Sequence, residues 1–318
     1  MTVSPQNIIA EAKDVSFSYP DGQDRYVLNK LNLQVFRGEC VAILGESGAG
    51  KTTLLKLLCG LLKPGQGQIL FEGKPLQGPR KDIALIFQNY GLFPWKTVRE
   101  NILLPARLGR KRAKNLVDTR FSALRGLCRE TSQTSSDRVG ESSSGLSPRV
   151  AALMSGMSEK VDANELAKLL DYLGLREFAH RFPAELSGGQ LQRTALGRAV
   201  MSGASLLLMD EPFSALDLRN RARLQSFMKT FLEDTGMSSV IVTHSIEEAL
   251  CMGDRVAVFD PERGTIRKVW EGCRQETDPN SAVLNERSRR IREFLLQVQE
   301  AGCRSDEWKA RTTDNGEQ

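Results

Sequence analysis

Gly45-Glu46-Ser47-Gly48-Ala49-Gly50-Lys51-Thr52 says more about the architecture of this 318-residue chain than any other segment. It fits the pattern G-x-x-x-x-G-K-[ST], in which a glycine-rich loop binds phosphate groups. The continuous apolar run Cys40–Leu44 precedes it and predicts a strand buried on both faces. Lys51 to Leu62 follows with helical character, so the segment reads as strand, glycine-rich loop and helix. This order is the structural context that the motif requires.

The loop brings together three kinds of group that favour a phosphorylated ligand. Its glycines allow successive backbone N–H groups to point at phosphate oxygens. The Lys51 ammonium is expected to reach the β- and γ-phosphates of a nucleotide, and the Thr52 hydroxyl to ligate Mg²⁺. The helix N-terminus adds a favourable dipole for negative charge. The predicted phosphate site is Gly45, Glu46, Ser47, Gly48, Ala49, Gly50, Lys51, Thr52 and Thr53.

The remaining pattern predicts an α/β fold. Before the loop, apolar and polar residues largely alternate from Leu31 to Phe36, which indicates a half-buried strand of a β section. Short apolar runs at Leu206–Met209, Val240–Val242 and Val256–Phe259 are separated by helical stretches, as in a parallel sheet with crossover helices. Residues 98–199 look mainly helical. We therefore expect a nucleotide-binding core at 8–97 and 200–272.

Two further segments differ in composition from this core. Thr131 to Pro148 is rich in Ser and Gly and poor in large apolar groups, which predicts a disordered insertion at about 113–158. Residues 273–318 are expected to form a C-terminal helix, with an amphipathic stretch at Ile291–Val298, and a polar tail after Gly302.

Two carboxylates and a histidine follow predicted strands. Asp210 comes after four apolar residues, at the carboxyl end of a strand, where open α/β sheets bind ligands. An Asp at this place can hold Mg²⁺, and Glu211 beside it can act as general base toward water. Taken alone, an Asp-Glu pair is often a solvated strand end, and a lone histidine such as His244 is usually structural.

Leu186-Ser187-Gly188-Gly189-Gln190 is the second informative segment. Ser187, Gly188 and Gly189 at a helix start form an anion site with free N–H groups and a favourable dipole end. Yet the segment lies in the helical section, far along the chain from the glycine-rich loop.

The two segments together resemble the ATP-binding subunit of an ABC transporter, over most of residues 11–300. In that family LSGGQ (Leu186–Gln190) is the signature motif, and the fold is a P-loop NTPase core with an N-terminal antiparallel β section and an inserted helical subdomain. The resemblance implies ATP and Mg²⁺ as cofactors. It assigns adenine stacking to Tyr19, contact with Mg²⁺ and water to Gln88, and metal binding to Asp210.

The same resemblance assigns the catalytic carboxylate to Glu211 and contact with the γ-phosphate to His244. It places Asp217 in the D-loop Ser214–Asp217. It further implies that two copies pair head to tail, so that Ser187, Gly188, Gly189 and Gln190 of one copy cover ATP bound by the other. From Gln88 to Ser187 the chain is longer than we expect for the family.

Asn89-Tyr90-Gly91-Leu92-Phe93-Pro94-Trp95 resembles the importer branch for nitrate, alkanesulfonates, taurine and related solutes. In the family this surface receives a helix of the permease, and apolar side chains suit such docking. Equally, Leu92 and Trp95 can pack under the helical subdomain. The branch implies integral membrane permease subunits as partners and, indirectly, an extracytoplasmic solute-binding protein.

The composition limits the partners and the cellular compartment that we expect for this protein. The net charge is +5 and no arginine-rich stripe with interleaved aromatics occurs, so we expect no nucleic acid as partner. The six cysteines show no C-x-x-C spacing and fit a reducing compartment. No apolar run reaches the roughly 18–20 residues that span a bilayer. We expect a soluble subunit, peripheral on the cytoplasmic face of the cell membrane.

Other classes of function compete with an importer subunit. A non-transport ABC ATPase acting on nucleic acid usually resembles a fused double cassette or one split by long coiled coils, and this chain has one cassette and no sustained heptads. A regulatory ABC subunit of a membrane complex stays open, although Pro94-Trp95 argues mildly against it. A P-loop GTPase is disfavoured because Asn29-Lys30, the only Asn-Lys pair, precedes the glycine-rich loop.

Overall fold

The computed structural model describes residues 7–20, 26–108, 163–214, 216–276, 278 and 281–313, with side chains described except in 163–164 and 299–313. The chain divides into two compact units, Met1–Asn89 with Ser205–Gln318 and Tyr90–Ala204. The insertion expected at about 113–158 lies outside the described residues. The domain boundaries drawn from the sequence at 97/98 and 199/200 remain predictions.

In chain order the elements are β1 (Ile8–Phe17), β2 (Leu28–Phe36), β3 (Cys40–Leu44), α1 (Lys51–Leu58), β4 (Gln66–Phe71), β5 (Lys74–Pro75), β6 (Ile83–Ile86), α2 (Val98–Leu108), α3 (Ala163–Tyr172), α4 (Gly188–Ser202), β7 (Leu206–Asp210), α5 (Leu218–Thr235), β8 (Ser238–Thr243), α6 (Ile246–Met252), β9 (Arg255–Asp260), β10 (Thr265–Glu271) and α7 (Ala282–Thr313). Short 3₁₀ turns lie at Arg176–Phe178 and Pro183–Glu185.

The described strands of the first unit form two sheets. One has four antiparallel strands in the order β2-β1-β4-β5, which is the N-terminal β section expected from the sequence. The other has six strands in the order β10-β9-β3-β8-β7-β6. Its strands are parallel except β10, which pairs antiparallel with β9 at the edge. The carboxyl ends of β3, β6, β7 and β8 therefore meet at one edge of the sheet.

The side chains of β3 show how this sheet is covered on both faces. Val41 and Ile43 pack into a large apolar cluster shared with α1 and the four-stranded sheet. Ala42 and Leu44 point the other way, into a cluster with α6, β9 and α7. Because successive side chains of a strand alternate between faces, a strand buried on both must be apolar throughout. All five residues of β3 are buried.

The second unit is helical in its described residues. Gly197 of α4 faces Leu173 and Ile102, and a Cβ built on Gly197 would lie 2.7 Å from Leu173 Cδ1 and 3.0 Å from Ile102 Cδ1. A larger side chain at this position would push the helices apart. The glycine thus sets how closely α4 and α2 pack.

Two helix ends differ from the sequence prediction. Helix α1 ends at Leu58 rather than at Leu62, because the chain leaves the helix at Cys59-Gly60. Helix α7 continues to Thr313, so residues 303–313, which we expected in the polar tail after Gly302, are part of the helix. Five of the eleven residues 303–313 (Arg304, Glu307, Lys309, Ala310 and Arg311) have good intrinsic helix propensity. Within the part of the chain that the structure describes, no helix has the length and hydrophobicity to cross a bilayer.

Candidate functional site

The glycine-rich loop joins β3 to α1 with a backbone that other residues adopt poorly. Gly50, the N-cap of α1, has φ +106°. A Cβ on Gly50 would lie 2.8 Å from Val27 Cγ1 and 3.2 Å from the Val27 carbonyl oxygen. The loop is therefore a cradle at the end of a buried strand, with the N-terminus of α1 directed into it. Such a cradle suits a phosphate group.

Replacing Gly50 with Ala should disturb this cradle. We expect a loss of about 1–3 kcal/mol of folding stability, from the unfavourable φ and the contact with Val27, together with weaker ATP binding. Thermal unfolding and equilibrium ATP binding measure the two effects. Gly38→Ala is the matched control, because Gly38 has φ +74° and an added Cβ there would meet nothing within 4 Å. Equal loss of ATP affinity in both variants would contradict a special role for Gly50.

Lys51 places its charge at the centre of the loop. Its side chain is almost wholly buried, and Nζ donates to the Gly45 carbonyl oxygen at 2.7 Å and also to the Glu46 carbonyl. Burial lowers the pKa of Lys51, while Glu211, Asp210 and Glu46 act in the opposite direction. An ammonium held by neutral carbonyls can exchange them for charged phosphate oxygens, which bind it more strongly.

Thr52 and Asp210 form the predicted metal pair. Thr52 Oγ1 donates to Asp210 Oδ2 at 2.8 Å, across 158 residues of sequence. Burial raises the pKa of Asp210, and the Thr52 hydrogen bond opposes this rise. A hydroxyl and a carboxylate oxygen beside a phosphate cradle are hard oxygen ligands of the kind that Mg²⁺ prefers. The residues therefore fit a Mg²⁺ ion bound together with nucleotide phosphates.

Glu211 and His244 face each other at the ends of neighbouring strands. Glu211 follows β7 and His244 follows β8, and Glu211 Oε1 lies 3.2 Å from His244 Nδ1. Glu211 has φ +45°, and its N–H donates to the Val242 carbonyl. A non-glycine residue in this left-handed region is uncommon, and such residues cluster at functional sites. The backbone here turns the carboxylate toward the histidine.

Gln88 also lies at this edge of the sheet, two residues beyond β6. Gln88 Nε2 donates to Ser214 Oγ at 3.3 Å, and Ser214 Oγ donates to the Glu211 carbonyl at 3.0 Å. One serine hydroxyl thus connects the glutamine to the backbone of Glu211. The sequence assigned Ser214 to the D-loop but did not predict these hydrogen bonds.

Tyr19 lies beside helix α1, which follows the glycine-rich loop. The Tyr19 hydroxyl and Thr53 Oγ1 are 3.1 Å apart, and the Tyr19 ring packs edge-on against Phe17 with centroids 5.0 Å apart. The residue is 39% exposed. A partly exposed aromatic ring beside the phosphate cradle suits stacking on a planar base.

Asp217 has a structural part of its own. It is the N-cap of α5, and its carboxylate accepts from the backbone N–H of Asn220 at 3.0 Å. These bonds from Asn220 lower the pKa of Asp217. Leu218, the first residue of α5, is 81% exposed. Ala215 of the predicted D-loop lies outside the described residues.

The signature segment begins a helix in the second unit. Ser187 is the N-cap of α4, with a capping box in which Ser187 Oγ accepts from Gln190 N–H and Gln190 Oε1 accepts from Ser187 N–H. Gly188 and Gly189 form the first turn, and a Cβ on Gly189 would meet nothing within 4 Å. The anion site predicted from Ser187, Gly188 and Gly189 is thus an open helix N-terminus.

Asn101 and Arg198 of the second unit were missed by the sequence analysis. Asn101 is fully buried; its Oδ1 accepts from Phe93 N–H at 2.9 Å, and its Nδ2 donates to the carbonyls of Phe93, Lys96 and Thr97. Arg198 of α4 donates to the Gly91 and Tyr90 carbonyls. An Asn on the apolar face of a helix was the available signal.

These two residues hold a loop that presents an apolar surface. Trp95 is 69% exposed, and its ring lies edge-on to Phe93 with centroids 5.5 Å apart. Of the two sequence interpretations, packing into the unit fits Leu92, which is half-buried, whereas Trp95 contacts Phe93 but stays mostly exposed. The ring is open to a partner.

A glycine-rich loop between a buried parallel strand and a helix, with its lysine, a Thr-Asp pair and an adjoining glutamate, defines a P-loop nucleotide-binding protein. The ABC transporter family matches residues 28–214. The aliphatic sulfonates import ATP-binding protein SsuB 2 of Burkholderia lata is 34% identical over 295 residues, or 92% of this chain and 88% of that protein. The taurine import ATP-binding protein TauB of Jannaschia sp. is 32% identical, over 88% of this chain and 89% of that protein.

Among solved structures, the ATP-binding cassette MJ0796, a dimer in a post-hydrolysis state bound to ADP and Pi, is similar with a TM-score of 0.60 and 25% identity. The match covers 83% of this chain and 98% of that one. The chain belongs to the ABC transporter family of ATP-binding subunits. It is an ATPase, and it uses ATP with Mg²⁺.

Proposed function

We propose that this chain energises uptake of a small sulfonate, taurine, nitrate or similar solute through separate permease subunits. The observation that carries the proposal is the gathering of Lys51, Thr52, Asp210, Glu211 and His244 at one edge of the six-stranded sheet. The similarity to import subunits for taurine and for aliphatic sulfonates supports the choice of transported class.

We assign each residue of this edge a part in hydrolysis. Mg²⁺, when bound, neutralises charge on the β- and γ-phosphates. Lys51 would release the Gly45 and Glu46 carbonyls and bind phosphate oxygens, while Thr52 and Asp210 hold the ion with help from Gln88. Glu211 accepts the proton of the attacking water, and His244, hydrogen-bonded to Glu211, contacts the γ-phosphate.

The rest of the predicted nucleotide site follows the same assignment. Backbone N–H groups of the glycine-rich loop and of Thr53 surround the phosphates, and Tyr19 stacks on adenine. Ser187–Gln190 of a second copy would contact the γ-phosphate, with Asp217 near the junction. The active form is then a head-to-tail dimer with ATP in its interface, in which hydrolysis loosens the contact.

The exposed Trp95 loop is the surface we propose for the permease. Asn101 and Arg198 hold its backbone, so Phe93 and Trp95 can remain at the surface without having to pack inward. An amphipathic helix of a permease could bury both rings. This arrangement would place the chain at the cytoplasmic face of the membrane, with a solute-binding protein on the other side.

Uptake in cells tests the proposal. Cells that lack the gene should lose uptake of labelled taurine, an alkanesulfonate or nitrate, and should keep sulfate uptake. The intact gene should restore uptake, whereas Glu211→Gln should not. Trp95→Ala should restore little uptake although the purified variant binds ATP normally, and Phe182→Ala, at another half-exposed aromatic ring of the second unit, serves as its control. Unchanged uptake of all three solutes would leave a regulatory role instead.

A further inference from the structure

Glu248 is a buried carboxylate that the proposed mechanism does not use. It lies in α6, four residues after His244, and only 7% of it is exposed. Its neighbour Glu247 is exposed, pairs with Arg292 and accepts from Ser245 Oγ at 3.1 Å, a bond that a glutamine can also accept. A buried carboxylate must be paired and hydrogen-bonded to remain charged without a large penalty. The partners of Glu248 therefore show what it holds in place.

The first partner is the end of the strand that carries His244. Thr243 Oγ1, itself buried, donates to Glu248 Oε2 at 2.5 Å and accepts from the backbone N–H of Ser245 at 3.1 Å. Ser245 Oγ in turn accepts from the N–H of Glu248 at 3.2 Å. The residues on both sides of His244 are thus tied to Glu248, and this fixes the backbone from which His244 faces Glu211.

The second partner of Glu248 is Arg221, which connects it to the segment that follows Glu211. Arg221 Nε of α5 lies 3.5 Å from Glu248 Oε1, and Arg221 Nη2 donates to the Leu216 carbonyl at 3.2 Å. Leu216 adjoins Asp217, the N-cap of α5. Arg221 Nε is buried and makes no hydrogen bond among the described residues. A shift of a few tenths of an ångström would convert this ion pair into a hydrogen bond.

We propose that Glu248 is a positioning residue that joins the His244 loop to the Leu216–Asp217 segment through Thr243 and Arg221. Each oxygen of one carboxylate serves one loop, so neither can move freely without the other. This inference rests on the proposed function, in which His244 contacts the γ-phosphate and Asp217 lies near the second copy. The link then transmits the presence of a γ-phosphate to the surface that meets the second copy.

The hydrolysis experiment compares Glu248→Gln with Glu247→Gln on the same helix. Glutamine keeps the size of Glu248. Its NH2 group is a donor, however, so it cannot accept from both the Thr243 hydroxyl and the Arg221 guanidinium as the carboxylate does. We expect kcat for ATP hydrolysis by the purified chain to fall about 10- to 100-fold, because small misplacement of a reacting geometry costs factors of this size. Equilibrium ATP affinity should change less than about threefold, since the phosphate cradle is untouched. Glu247→Gln should leave both unchanged.

Arg221→Gln provides a second variant should Glu248→Gln fold poorly. It breaks the same link from the other side, so its effect on kcat should match that of Glu248→Gln. The double variant should lose no more than either single one, because residues that act through one link are non-additive. The proposal would be overturned if the losses in kcat of the two single variants added up in the double variant. It would also be overturned if the loss in kcat of each variant equalled its unfolded fraction.

A dimer measurement separates this proposal from the function on which it rests. In the Glu211→Gln background, ATP should produce a dimer detectable by light scattering, and adding Glu248→Gln should weaken that dimer about tenfold or more at saturating ATP. If Glu211→Gln alone gives no dimer, the proposed dimeric mechanism fails, while the kcat comparison still tests Glu248. An undiminished dimer together with unchanged kcat would overturn the role of Glu248.

Discussion

Replacing Glu211 with Gln is expected to slow ATP hydrolysis by about 10²- to 10⁴-fold, the usual contribution of a general base. The amide keeps the shape of the side chain, and a contact with His244 Nδ1 stays possible, but it cannot accept a proton. ATP affinity should be retained because the glycine-rich loop, Lys51 and the Thr52–Asp210 pair are unchanged. Single-turnover hydrolysis and equilibrium binding measure the two quantities.

Glu271→Gln is a suitable control for this variant, since it removes an exposed carboxylate of β10 that pairs with Arg287 and not with any residue of the nucleotide site. It should hydrolyse ATP within about threefold of the unchanged chain, far from the effect of losing a general base. Full turnover by Glu211→Gln would show that another group takes the proton from water, and the assignment of Glu211 would then be wrong.

Replacing Gly189 with Asp should strongly reduce ATP hydrolysis without harming the fold. Position 189 is in the first turn of α4 with open space around it, and a negative charge at a helix N-terminus stabilises the helix by about 0.3–1 kcal/mol. The same charge would repel a γ-phosphate brought there by a second copy. We expect hydrolysis to fall by about 10²-fold or more, as when a preorganised donor site for an anion is lost.

Three measurements define the Gly189→Asp result. The Tm should be equal or higher, ATP affinity of the monomer should be unchanged, and kcat should collapse. Gly189→Ala, which fits the same space without charge, should retain most of the activity. Near-normal hydrolysis by Gly189→Asp would mean that the first turn of α4 never approaches a phosphate.

Much of the nucleotide site could be predicted from the sequence because its groups follow short, strongly apolar strands. Cys40–Leu44 and Leu206–Asp210 have no competing interpretation, and the residues after such strands must meet at one edge of a parallel sheet. The resemblance then supplied parts that spacing alone leaves open, such as those of Gln88 and His244.

The links between these groups could not be predicted in the same way. Each link depends on a side-chain contact between residues far apart in the chain, Gln88 with Ser214 and Arg221 with Glu248, and no pattern in the sequence indicates either contact. The length of helix α7 was underestimated from the sequence for another reason. Its last turns lack an apolar stripe, and periodicity is the signal by which helices are recognised.

Arg198 attaches α4 to the Tyr90–Gly91 backbone, so a small rotation of the helix about this point is amplified at its N-terminus. Eleven residues separate Arg198 from Ser187, which at 1.5 Å per residue places the two about 16 Å apart along the helix axis. A tilt of α4 by about 5° about its fixed end would therefore carry Ser187 sideways by about 1.4 Å, half the length of a hydrogen bond. A small rotation of α4 about the Tyr90–Gly91 backbone would thus move the start of the signature segment by a distance comparable to a hydrogen bond.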